Sequence, residues 1–123
     1  TEGTPQHPLD PAVRDLSFQV NVLVYDMLRS LGNSPFGGIT RYPDVELPGT
    51  ALGSYALNGS GIMLYETRTA AQMSMGMLIQ QSVAGLGVTL EALASGTISG
   101  VDPNRYWDIP PAGPRIDNPN DGL

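Results

Sequence analysis

The apolar positions between residues 13 and 31 recur at helical intervals. Val13, Leu16, Val20, Leu23 and Met27 are spaced 3-4-3-4, and Val24, Leu28 and Leu31 widen the same stripe. Asp10 suits an N-cap, and Pro11 suits the first helical position, where a missing N–H costs nothing. Gly32-Asn33 supplies a stop, with Pro35 beyond it. Asp10 and Asp15 near the start and Arg29 near the end match the helix dipole. The pattern predicts a helix over about 10–31. Within it, Asn21 sits between Val20 and Val22, in a stretch with little that prefers water.

The next stretch breaks the period. Pro43, Pro48 and the glycines at 37, 38, 49 and 53 exclude a long helix between Gly32 and about Leu57. It reads as an ordered loop with a short extended piece near Val45–Leu47. Asn58-Gly59 offers an alternative, a small hairpin turn between Tyr55–Leu57 and Ile62–Leu64. Helical spacing then returns, and a second helix is predicted over about 61–95, roughly 50 Å long at the standard rise. Its later half carries a stripe through Ile79, Val83, Leu86, Leu90 and Leu93, while Thr69, Ala70, Ala71, Ser74 and Gly76 make its first half small and polar. From Pro103 onward prolines recur too often for regular structure, yet Tyr106, Trp107 and Ile109 are costly to leave wet. Such a segment suits docking along another surface.

Charge changes this picture most. The 123 residues hold 12 acids and six arginines, no lysine, and a net charge of −6. Nucleic acid and anionic headgroups would repel such a chain. Between Ile62 and Val101 the charges are Glu66, Arg68 and Glu91 alone. Helices of a soluble hairpin leave about half their surface in water and fill it with Lys, Glu and Arg. Here that half would hold Met, Gln, Ser, Ala and Gly, a surface that other protein usually covers. A bilayer is the rival cover, but Gln80, Gln81 and Glu91 interrupt the apolar run and no basic residues flank it. The sequence therefore favours burial in a protein assembly over membrane insertion. No signal peptide is visible in TEGTPQHPLDP, so a cytoplasmic location is expected, or release or export by a route that needs none.

Candidate chemistry is sparse. His7 lies in a Pro-rich leader, and without Cys or Lys the available nucleophiles reduce to Ser and Thr, with no base spaced to activate them. Asp44 and Glu46 share a face if their stretch is extended, but two acids without neighbouring histidines make a poor site for a first-row metal. The Gly-x-Gly pairs at 59–61 and 85–87 do not continue into a dinucleotide fingerprint. The segment 117–122 mimics a calcium loop, but Pro119 occupies a ligand position. Met73, Met75 and Met77 do not share one helical face, so a core-filling role outweighs a Met-lined binding groove. No catalytic or metal-binding residue, no enzyme activity and no cofactor are expected.

Asp15, Gln19, Asn21, Val22 and Val24 form D-x-x-x-Q-x-N-V-x-V, which resembles an early segment of the RebB-like family of R-body structural proteins. Leu64-Tyr65-Glu66 with Ala70, Ala71 and Gln72 resembles a later LYQ-and-Ala segment of that family. Gln80-Gln81-Ser82-Val83, and then residues 94–101, are similar to further parts of it. The family's Gln run is missing, the middle loop is longer, and the Pro-rich tail has no counterpart. The resemblance implies a bacterial subunit that polymerises into proteinaceous ribbons. It also gives Gln19 and Asn21 a role as amides bonding across a subunit seam, where a charge would be expensive.

The expected architecture is thus mainly α. Two long helices form a hairpin-like unit with a Gly/Pro-rich connection, making a helical assembly domain over 1–102, and an extended Pro-rich tail covers 103–123. The expected activity is self-assembly into a filament, ribbon or other polymer of identical copies, with or without paralogous subunits. The expected contacts are Gln19, Asn21, Val22, Val24, Ile79, Val83, Leu86, Leu90, Leu93, Tyr106 and Trp107. Two other readings are a small helical-hairpin effector or adaptor of type VII-like secretion, which would need one stoichiometric partner, and a small ligand-binding or enzymatic fold, which would need a deep pocket.

Overall fold

The computed structural model describes residues 5–32, 39–41, 50–67 and 73–112. The chain is mainly helical, and no strand occurs among the described residues. The short extended piece expected near Val45–Leu47, the acids Asp44 and Glu46, and residues 113–123 lie outside the described residues.

Helix α1 spans Pro11–Ser30. Its start is as the sequence predicts: the Ala12 N–H donates to Asp10 Oδ1 at 2.8 Å, and Pro11 opens the helix. At its end, Gly32 takes a left-handed φ of 68°, and its N–H donates to the Arg29 carbonyl at 3.0 Å. What the single-stripe reading misses is that α1 is covered on two sides. At about 100° per residue, Val13, Ser17, Val20, Val24 and Leu28 share one face, and Phe18, Val22 and Tyr25 lie roughly opposite. All of these except half-buried Tyr25 are buried. The valines that flank Asn21 are therefore inside the molecule, packed by different parts of the same chain.

Helix α2, Ala51–Leu57, occupies a stretch read as loop. Thr50 caps it by accepting from the Gly53 N–H, and a Schellman motif ends it. Ser60 N–H donates to the Tyr55 carbonyl at 3.0 Å and Gly59 N–H to the Ala56 carbonyl at 3.1 Å, with Gly59 at φ 88°. Asn58-Gly59 thus terminates a helix, and the alternative hairpin does not form. Ala56 packs with Leu9 and Val13, with Ile62 alongside.

The second long helix is shorter than its periodicity predicts. Residues 61–67 are not helical, and helix α3 runs over Met75–Ser95 with Ser74 as its N-cap. Two contacts hold the earlier segment out of a helix. Gly61 lies so close to α1 that a Cβ there would sit 2.8 Å from Leu16 Cγ. The Ile62 N–H is committed to Ser17 Oγ at 2.9 Å, while the Ser17 hydroxyl donates to the Val13 carbonyl. The predicted end of α3 holds, with Gly96 at φ 75° after Ser95.

A 3-10 turn at Thr97–Gly100 and a second at Pro103–Asp108 follow. The second corrects the expectation of no regular structure beyond residue 103. Asp102 caps it by accepting from the Asn104 N–H, and Pro103 stands at its first position, where proline fits. It docks against α1 of its own chain. Phe18, Val22, Tyr106 and Ile109 form a buried cluster, with Tyr25 and Val101 packed on it.

Candidate assembly surface

The packing of α3 on α1 inverts the usual arrangement of an amphipathic helix. Gln81, Gly85 and Ala92 are its buried residues. Gly85 allows the close approach, since a Cβ there would lie 3.3 Å from Val24 Cγ1. Ala92 packs with Val20 and Ile98, supported by Leu16, Leu23 and Met63. The small, partly polar face is inside, and the bulky aliphatic face is outside.

Ile79, Val83, Leu86, Leu90 and Leu93 all point outward, with Val83 66%, Leu86 64% and Leu90 60% exposed. Met75 continues the stripe by one turn and is equally bare. These six fall within about 40° of one line along the helix. Gly76, Ser82, Gly87 and Ala94 flank them, and the one charged residue on α3, Glu91, lies about 120° away around the helix. At about 100 Å² each the stripe offers roughly 600 Å² of apolar surface, at the top of what one patch of a typical monomer shows. Covering it would gain about 15 kcal/mol per copy, gross, before association costs. Length and composition also make α3 able to cross a bilayer.

The structure divides the eleven residues that the sequence singles out. The five α3 aliphatics are exposed together on one surface. Val22, Val24 and Tyr106 are buried within the chain, at 1%, 4% and 9% exposure, so they cannot line an outer seam in this fold. Gln19 and Asn21 are half-buried and bonded internally. Gln19 Nε2 donates to the Val101 carbonyl at 2.9 Å, and Asn21 Nδ2 donates to the Ser17 carbonyl one turn back at 2.7 Å. In this fold their amides serve α1 and its neighbours. Trp107 is partly exposed, but its ring is held by its own chain.

That ring belongs to an aromatic clasp that sequence reasoning does not find. Phe18 and Tyr106 stack with centroids 4.1 Å apart, and Trp107 meets both edge-on. The Arg41 guanidinium lies 4.9 Å from the Trp107 ring centre and 5.7 Å from that of Tyr106, a cation–π arrangement. Arg41 also fixes the strand-like path of the segment: its N–H donates to the Pro110 carbonyl, its carbonyl accepts from Ala112 N–H, and its Nε donates to the Ile109 carbonyl. Arg105 adds a two-pronged ion pair to Asp26 on α1, at 2.8 and 2.9 Å, which raises the Arg105 pKa further above its ordinary value. Nothing in the local pattern marks Arg41 as a partner of residues nearly 70 positions away.

Tyr65 sits beside Gly85 and Val24 where residues 61–67 pass α3. Its hydroxyl is buried with no hydrogen-bond partner among the described residues, and burial raises its pKa above the ordinary phenol value. Among the described residues no three His, Asp or Glu side chains stand close enough to hold a metal ion. His7 is exposed. The chain matches no protein-family model, no curated protein and no solved structure.

Proposed function

We propose that this chain is a self-assembling structural protein, a helical subunit that polymerises into a filament, ribbon or sheet in the manner the R-body resemblance implies. The observation that carries the reading is the uncharged aliphatic stripe of α3, left bare while the chain spends its small residues on internal packing. A soluble monomer gains nothing from that inversion. In an assembly it places the largest apolar side chains where a neighbour can cover them. The reading treats α1 and α3 with their connection as the hairpin-like unit, and the aromatic clasp as the device that closes the unit on itself. It assigns the chain no reaction and no cofactor.

Growth beyond a pair requires a second contact surface on each copy. Tyr55, Leu57 and Leu64 are also more than half exposed and stand on α2 and the segment after it, apart from α3 in the sequence. They are the natural candidates for that second contact. Light scattering coupled to size exclusion, followed by negative-stain electron microscopy, tests the proposal. Assemblies well above the 13.0 kDa of one chain are expected. A monodisperse monomer at tens of micromolar would overturn the reading.

A further inference from the structure

The stripe on α3 has internal order that says how a neighbour sits on it. Ile79, Val83, Leu86, Leu90 and Leu93 are spaced 4-3-4-3, the a and d positions of a heptad, with Val83 and Leu90 at a and the others at d. Heptad seams pack by knobs into holes, so this spacing fits another helix better than it fits a lipid surface, which needs only a broad apolar face. Resting on the assembly reading, we infer that the occupant is the same stripe of a second copy, lying antiparallel across a two-fold axis.

Three observations argue for this occupant and direction. The first is area. Roughly 600 Å² from each copy gives about 1,200 Å² in total, the lower edge of what a specific, stable protein pair buries. The second is charge. A parallel pair is normally set by charged residues flanking the seam, and α3 has one charge, Glu91, well off the seam. With no side-chain charges to choose direction, the opposed helix dipoles favour antiparallel contact. The third is register. In antiparallel seams a positions face d positions, and one register overlaps the full helix: Ile79 opposite Leu90, and Val83 opposite Leu86, each taken twice. In that register Leu93 meets Gly76, so the bulky end of one helix falls on the small end of the other. A shift by one heptad would push the end of the seam past Ser95 or before Met75.

The chain has no cysteine, so introduced thiols report without background. In the antiparallel pair, the double variant I79C/L90C forms a covalent dimer under mild oxidation, while I79C alone does not. Within one helix those positions are about 16 Å apart, too far to bridge internally. Circular dichroism of each variant establishes that the helices persist. Linking of I79C alone would overturn the inference in favour of a parallel contact. Failure of both variants to link, in protein that light scattering shows to be assembled, would overturn the inference and leave the assembly reading standing. A helical monomer at tens of micromolar would remove both. Flotation of an otherwise monomeric chain with neutral phosphatidylcholine vesicles would assign the stripe to lipid instead.

Discussion

Tyr65 is the residue whose environment departs most from what its chemistry prefers. A buried hydroxyl without a partner forfeits its hydrogen bonds to water and gains none in return. Tyr65→Phe is therefore expected to stabilise the fold by about 1 kcal/mol, read as a higher midpoint in thermal or urea denaturation. The pH dependence has a definite sign. Because burial raises the folded-state pKa above 10.0, the stabilising contribution of the neutral phenol is complete below that value and is lost as pH rises through the higher folded value. The wild-type chain should lose stability on that alkaline side, and Tyr65→Phe should lose less. Ser17 is the opposite case, a buried polar residue with both functions used. Ser17→Ala strands the Ile62 N–H and should cost about 1–3 kcal/mol, with faster amide exchange at Ile62 than at α1 amides.

At the scale of elements, Gly85 sets the distance between α1 and α3. A larger side chain there must displace Val24, so Gly85→Leu should destabilise by about 1–3 kcal/mol, measured by denaturant melts. The element boundaries show what the sequence could and could not convey. The start and stop of α1 and the stop of α3 were legible because Asp10, Gly32 and Gly96 bond to residues two or three positions away, and Pro11 fits the first helical position through its own fixed φ and missing N–H. The start of α3 was not. Periodicity continues through Ile62 and Tyr65, but Gly61 against Leu16 and Ile62 against Ser17 are tertiary contacts that override it. Helix α2 was obscured by its glycine, Gly53, and by the prolines that precede it. Asn58-Gly59 has the same composition in a hairpin turn and in a helix stop, and only the preceding backbone decides between them.

The candidate surface was legible in half. The heptad spacing of α3 and its lack of charge were written in the residues, and the structure leaves those side chains bare. The valines of α1 carry the same signals and are covered internally, Val22 by Tyr106 and Ile109 and Val20 by Ala92 and Ile98, all distant in the sequence. Periodicity states that a face will be buried; it does not state by what. For the whole molecule, the expected consequence is that Leu86→Glu with Leu90→Glu places four charges in a paired seam and abolishes assembly without loss of helicity, as seen by light scattering and circular dichroism together. Leu57→Glu with Leu64→Glu should instead leave pairs that no longer grow. Phe18→Ala should loosen the aromatic clasp, seen as a red shift and easier quenching of the lone Trp107, while the α3 stripe stays intact.

The clasp also imposes an order in time. Phe18 and Val22 leave the ribosome long before Tyr106 and Ile109, which cover them. At about 5–20 residues per second the intervening 88 positions take roughly 4 to 18 s to translate. Throughout that interval the nascent chain shows its own future core to neighbouring nascent chains on the same messenger. Slow translation of the region between residues 41 and 106 should therefore lower the yield of correctly closed chains, and a holdase that occupies the Phe18 face should restore it.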